Sequence, residues 1–584
     1  MSKSHVACEV SGALRRCRAG FLGVALLSGL INLLMLTGSF FMLEVYDRVL
    51  PSRSLPTLVG LIALALLLYA FQGGLEILRG RILARTGALL DQALGRRILE
   101  LILRAPLRSP PGAAPTDAST LGEGLLPLRD LDTLRAFLSG SGPGALFDLP
   151  WIPVYLAICF LFHPLIGAAA LAMSAALAAI AVLSEHATRD PLRASTAHGA
   201  TRLGLAEAAR RNAEAVAALG MRERLIVRWC SANRGYGDTV LATSDTTGLL
   251  SNVARTLRTA LQSGVLAIGA WLVIRGEATG GIIVAASILV SRALAPAELT
   301  IANWKGFVAA RQAWGRLAAG LARVPPEALP HRLPAPAASL SVEDVSLVLP
   351  GNGRCVIQGA TFSVGAGQGL GIIGPSASGK SSLARALVGV WPPMRGAVRL
   401  DGASLDQWTS ASLGQHLGYL SQEIALFAGT IAENIARFEP DAPPEAVVAA
   451  ARAGGVHELI LRLPRGYDTA LGEGGAGLSA GQRQRIGLAR ALYRDPFLVV
   501  LDEPNANLDA EGELALTRAI LGVRLRGGIC IVVAHRPSAL AGVDMVLAVA
   551  DGRVRAFGPK DQVLARVLHQ GPAPDETTPL REVA

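Results

Sequence analysis

Residues 19–43 (AGFLGVALLSGLINLLMLTGSFFML) run without a single charged side chain. As a helix rising 1.5 Å per residue the stretch is about 37 Å long, enough to cross a hydrocarbon core of about 30 Å. A cleaved signal peptide has a shorter apolar region ending at a small-residue cleavage site, and here a second uncharged stretch follows at once, so the run reads as a permanent anchor. Further stretches fall at 55–75, 149–162, 164–184, 259–274 and 280–290, the last extending to about 298 past Arg292. The pair at 149–184 is broken only by His163-Pro164, a tight hairpin. Six membrane helices are predicted.

Of 584 residues only 17% are charged, well under the roughly one quarter usual in soluble domains. A chain this long and apolar excludes a small disulfide scaffold and a disordered protein. Residues 1–323 carry 32 Lys/Arg against 20 Asp/Glu, so the whole excess of +10 lies in the apolar half. Such arginines flank membrane helices, and no nucleic-acid surface is implied. Arg15, Arg16 and Arg18 precede the first span; Arg79 to Arg108 follow the second; Arg189 to Arg211 follow the fourth. The alternate loops hold little charge, which predicts that both termini face the cytoplasm. Six scattered cysteines offer no metal-ligand spacing and read as reduced thiols.

Intramembrane charge is scarce. Asp148, in FDLPW, reads as a helix-start residue of the third span, and no chain of buried acids suggests an ion-coupled carrier. The segments 79–145 and 185–255 have helical periodicity and extend the bundle beyond the bilayer, with contacts to the second half expected near 115–125 and 207–224.

That second half begins after a Pro-rich linker (324–338) and is α/β in character. A strand, GLGIIG, runs into Gly374-Pro375-Ser376-Ala377-Ser378-Gly379-Lys380-Ser381-Ser382 and then a helix. The spacing GxxxxGK[ST] lets backbone N–H groups close around a β-phosphate, with Lys380 on the β/γ-phosphates and the Ser381 hydroxyl on Mg²⁺. The apolar strand FLVVLDEP ends in Asp502, a carboxylate for Mg²⁺, and Glu503, which is placed to orient or deprotonate water. A third strand, GICIVVAH, ends in His535 at the same edge, a contact for the γ-phosphate and the attacking water.

LSAGQRQRIGLARAL (478–492) resembles the signature of ABC-transporter ATPases, usually LSGGQ, with Ala480 in place of the first Gly. The likeness covers the chain: an α-helical membrane domain of six helices, of the exporter type, followed by an α/β P-loop ATPase. It implies a short cytoplasmic start (1–18), a membrane domain (19–323), the linker, an ATP-binding domain (339–570) and a flexible tail (571–584). It also implies ATP and Mg²⁺ as ligands, Gln422 as the glutamine that senses metal and water, and Glu503 and His535 as catalytic residues. Ser479 and Gly481 would then bind the γ-phosphate held by a second copy's loop, with Ala480 and Gln482 beside them in the nucleotide site, which makes the chain half of a homodimer. Gly472–Gly475 matches a loop that contacts the cytoplasmic helices, and Asn507-Leu508-Asp509 matches one that crosses the dimer interface. The family's usual adenine-stacking aromatic is replaced by Leu349.

MLEVYDRVLPSRSLPTLVGL, FDLPWIPVYLAICFLFHPLIG and EPNANLD further resemble the inner-membrane ATPases of type I protein secretion, in the protease/lipase-exporter branch. That implies a lipid-embedded inner-membrane protein exporting proteins with a C-terminal signal. It would work beside a periplasmic membrane-fusion adaptor and an outer-membrane tunnel. With about 18 residues before the first span, no leader peptidase domain is expected. The alternative is a lipid or drug exporter of the same architecture.

Overall fold

The computed structural model describes residues 2–107, 124–324, 333–349 and 353–569. They fall into two compact units that divide in the Pro-rich stretch following Val324.

The first unit is entirely helical, and six of its helical segments are long and apolar enough to cross a membrane: Cys17–Ser52, Leu55–Leu107, Gly142–Phe162, Pro164–Arg211, Arg222–Ile274 and Gly280–Ala302. The second, fourth and fifth run about 50 residues each, far longer than a bilayer needs, so the helical extensions expected from periodicity are continuous with the spans. The fifth thus starts some 37 residues before the apolar run at 259–274, because its charged first half is still helical. Span one is interrupted at Met35-Leu36 and passes through a π-helical turn at Val45–Val49. Asp47 in that turn accepts hydrogen bonds from Thr279 Oγ1 (2.7 Å) and the Gly281 backbone N–H (2.9 Å), which satisfies the open N-terminus of span six. The hairpin at His163-Pro164 forms as expected, with the His163 ring capping the Leu165 N–H.

Leu, Val and Phe side chains such as Leu26, Val59, Leu66, Phe71 and Leu183 remain exposed on the spans, the apolar coat that a lipid environment calls for. Inside, Tyr155, Ile166, Ala170, Leu177, Leu272, Leu289 and Leu294 pack spans three to six together. A second cluster, Leu90, Leu94, Ile98, Leu131, Leu134 and Leu317, joins the extensions.

Asp148 corrects the expectation drawn from its position. It ends the helix Gly142–Asp148 and is buried, with Arg79 Nη1 at 3.1 Å from Oδ2 and Asn32 Nδ2 at 2.8 Å from Oδ1. Arg79 also reaches Ser28 Oγ, and the Tyr155 hydroxyl donates to the Asn32 carbonyl. A carboxylate in this setting must be paired and fully hydrogen-bonded, and the node that does so ties spans one, two and three. Of the proposed contact segments, 115–125 lies largely outside the described residues; 207–224 comprises the end of the fourth helix, a short helix Ala213–Ala218 and the start of the fifth.

The second unit has two main sheets. Strands β1 (Ser339–Val348), β2 (Cys355–Gly365), β4 (Arg395–Leu400) and β5 (Ala403–Ser404) form an antiparallel sheet in the order β2-β1-β4-β5. Strands β3 (Gly369–Ile373), β6 (Leu417–Leu420), β9 (Leu498–Asp502), β10 (Ile529–Val533), β11 (Met545–Ala550) and β12 (Arg553–Pro559) form the other. Its order is β12-β11-β3-β10-β9-β6, parallel except for β12. The short β7 (Gly429–Thr430) and β8 (Ala470–Leu471) pair separately. Strands β9 and β10 are buried along their whole length, as near-continuous apolar runs in a covered parallel sheet must be.

Candidate nucleotide site

Parallel strands deliver their C-terminal ends to one edge, and there β3, β6, β9 and β10 release the predicted residues. The loop after β3 turns twice through conformations that favour glycine. Gly374 has φ 152°, where a Cβ would collide with the Val549 carbonyl, and Gly379 has φ 98°, where a Cβ would lie 2.7 Å from the Val356 carbonyl. Ala377 accepts φ 63° between them, and Pro375, Ser376 and Ser378 complete the loop. The helix Lys380–Leu387 then starts directly from the loop with no side-chain cap at Gly379, and a helix N-terminus at such a loop is the arrangement that binds anions. Lys380 is buried and folded over the loop, its Nζ donating to the carbonyls of Gly374 (2.9 Å) and Pro375 (2.7 Å). Burial pulls its pKa down, and the charges of Glu503 and Asp502 oppose that. Ser382 lies in the helix's first turn.

Asp502, at the end of β9, is fully buried; its Oδ1 accepts from Ser381 Oγ at 3.1 Å, and its Oδ2 has no partner among the described residues. Burial raises its pKa, Glu503 adds to the rise, and the Ser381 hydrogen bond works against it. A hydroxyl and a half-satisfied carboxylate are hard oxygen donors, a set that fits Mg²⁺. Glu503 follows with φ 51°, a left-handed turn that a non-glycine residue adopts only where its surroundings force it. Its N–H is held by the Val533 carbonyl (3.0 Å), and its Oε1 lies 3.1 Å from His535 Nε2. So β10, which separates β3 from β9, supplies the imidazole that meets the carboxylate. Gln422, two residues beyond β6, is exposed.

The signature residues do not join this cluster. Ser479 is the N-cap of the helix Ala480–Leu492: its Oγ accepts from the Gln482 N–H (3.3 Å), and Gln482 Oε1 accepts from the Ser479 N–H (2.9 Å). Ala480 is exposed and Gly481 half-buried, where a Cβ would approach the Asn507 carbonyl. Among the described residues, no hydrogen bond or ion pair links 479–482 to 374–382. Leu349 lies just past β1 and is bonded through its N–H to the Arg354 carbonyl.

Sequence reading missed several supporting residues. Gln484, buried one turn into the signature helix, donates to the Pro504 carbonyl at 2.8 Å and accepts from Asn507 Nδ2, fixing the loop after Glu503. Arg485 pairs with Asp509, which caps the helix Ala510–Leu525. Both follow the signature at one-turn spacing, which was the available signal. Nothing local marked the Pro504 carbonyl and the Asp509 carboxylate they reach, 20 and 24 residues away.

Known proteins agree with this architecture. The ABC transporter ATPase model matches residues 357–506 and the ABC transporter transmembrane region model matches 21–294. The type I secretion system ATP-binding protein PrsD of Rhizobium meliloti is 57% identical over 96% of this chain and 95% of its own. The cyclolysin secretion/processing protein CyaB of Bordetella pertussis is 31% identical over 93% of this chain and 75% of its own. The α-hemolysin translocation protein HlyB of Escherichia coli is 26% identical over 95% and 77%. A bacterial Atm1-family ABC exporter solved with ATP bound superposes with a TM-score of 0.78 at 25% identity, covering 95% of this chain and 96% of its own. The chain is therefore a multi-pass membrane protein of the ABC transporter family, an ATP-binding exporter ATPase belonging with the type I secretion proteins.

Proposed function

We propose that two copies of this chain form an exporter in the inner membrane that moves proteins bearing a C-terminal signal. The ATPase units would lie in the cytoplasm, and a periplasmic adaptor and an outer-membrane tunnel would carry the cargo onward. The observation that carries the reading is the 57% identity to a type I secretion ATP-binding protein over nearly the full length of both chains.

In the proposed reaction the loop 374–379 and the N-terminus of its helix hold the phosphates, and Lys380 leaves its carbonyl partners for the β/γ-phosphates. Ser381 and Asp502 would hold Mg²⁺, assisted by Gln422; the cation, when bound, neutralises charge developing on the phosphate oxygens. Glu503 accepts the proton of the attacking water, and His535, at 3.1 Å, holds that carboxylate in place and faces the γ-phosphate. Ser479 and Gly481 lie apart from this set within one chain, and that separation supports a composite site completed by the helix N-terminus of a second copy. Closure on ATP and release after hydrolysis would then drive alternating access.

The test is a chromosomal Glu503→Gln allele compared with the parent by mass spectrometry of the culture medium. One or a few proteins should disappear from the medium and accumulate inside the cell. An unchanged secretome contradicts the proposal.

A further inference from the structure

Two arginines on the membrane helices show how such a cation is accommodated beside a carboxylate. Arg79 is paired with Asp148 at 3.1 Å, and Arg258 with Glu298 at 3.0 Å. Arg292 is exposed on span six and has no ion pair or hydrogen bond among the described residues.

Its depth narrows what can meet it. Spans three and four turn at His163 and spans five and six at 275–279. His163 lies 3.6 Å from Glu277, so both hairpins mark one face of the membrane. Arg292 is 12 residues into the helix Gly280–Ala302, about 18 Å below that face at 1.5 Å per residue, near the middle of a ~30 Å hydrocarbon core. A guanidinium there cannot face lipid tails without a cost of several kcal/mol, and it is too deep for a headgroup phosphate at either surface. A second copy of the chain has little to offer it. Of the carboxylates on the spans, Asp148 is already bonded to Arg79 and Asn32, Glu298 to Arg258, and Glu76, one turn before Arg79, to Gln72. Glu44 and Asp47 belong to the hairpin face, where Asp47 holds the start of span six.

We infer that Arg292 is a cargo-contact residue: a mid-membrane cation that meets the side-chain carboxylates of an acidic polypeptide segment as it passes. The inference rests on the protein-export reading and adds a substrate chemistry to it. Nearby polar groups suit a wet passage. Gln262 and Ser287 approach each other at 3.5 Å between spans five and six, and the exposed residues of span five at this level include Thr259 and Ser263. A cation in a water-filled, low-dielectric passage concentrates anions about it.

The test uses the purified full-length protein in vesicles of phosphatidylethanolamine and phosphatidylcholine, with Ser291→Cys as the reporter and the parent chain as background. With Arg292 present, an anionic methanethiosulfonate reagent should modify the introduced thiol roughly tenfold faster than a cationic one. Arg292→Gln should abolish that ratio, and Arg292→Lys should keep it. A synthetic Gly/Asp-rich peptide should slow modification in the Arg292 protein while its Gly/Asn counterpart does not. The inference is overturned by a thiol inert with ATP, with ADP and without nucleotide. It is equally overturned by a ratio indifferent to Arg292→Gln, or by protection that needs phosphatidylglycerol in place of the acidic peptide. Failure here with an altered Glu503→Gln secretome removes only this role of Arg292; an unchanged secretome removes the export reading itself.

Discussion

At the scale of single residues the nucleotide site is a set of groups held in uncomfortable states. Lys380 is buried, and among the described residues its Nζ donates to two carbonyls of its own loop. Lys380→Ala should lower ATP affinity at least tenfold, measured by equilibrium binding, and near-parental affinity would remove it from the phosphate contacts. Asp502 is the opposite case, a carboxylate whose folded pKa burial lifts above the ordinary aspartate value. The folded protein therefore binds a proton more readily than the unfolded chain, and stability falls as pH rises through the interval between the two values. Without nucleotide or divalent cation, Asp502→Asn should accordingly raise the thermal midpoint at neutral pH, with the gain shrinking as pH is lowered. The same variant should lose Mg²⁺-dependent turnover. Glu503→Gln should retain ATP binding and lower hydrolysis by about a hundredfold or more, measured as single-turnover phosphate release.

At the scale of elements, what a local pattern reveals depends on how far along the chain a residue's partners lie. The strands leading to Gly374, Glu503 and His535 were legible because each is an apolar run that stops at a chemically marked residue. Parallel-sheet topology then brings such ends together, and the structure places His535 against Glu503. Asp148 was misread because its partners, Arg79 and Asn32, lie 69 and 116 residues away and no local pattern announces them. Its node should behave as a buried pair does: Asp148→Asn leaves Arg79 uncompensated and should destabilise the membrane unit by about 3–5 kcal/mol. Arg79→Met with Asp148→Leu should recover much of that loss, as read from thermal unfolding in detergent. A double variant no more stable than Asp148→Asn would mean that the polar node specifies the helix arrangement itself. Asp401 anchors the chain's entry to the second unit in the same manner. Burial works to raise its pKa, yet it is held below the usual range by the N–H groups of Ala337, Ser339 and Ala338, so its contribution is lost as pH falls through that lowered value.

At the scale of the whole molecule, six uncharged runs and one phosphate loop were enough to specify a membrane bundle joined to an ATPase. What the sequence left dark was everything that depends on side chains meeting across helices: which arginine in the bundle has a carboxylate, and how Gln484 braces the loop after Glu503. One feature of the single chain remains decisive, the separation of Ser479 and Gly481 from the loop at Gly374–Gly379. We propose that each chain is half of a two-chain clamp, and the proposed function turns on that clamp. It is tested most directly in Glu503→Gln protein carrying Ser376→Cys and Ser479→Cys, with Glu503→Gln alone as control, oxidised with and without ATP and resolved by non-reducing electrophoresis. A chain-to-chain disulfide should form only when ATP is bound. A disulfide within one chain, or none in the presence of ATP, would contradict it.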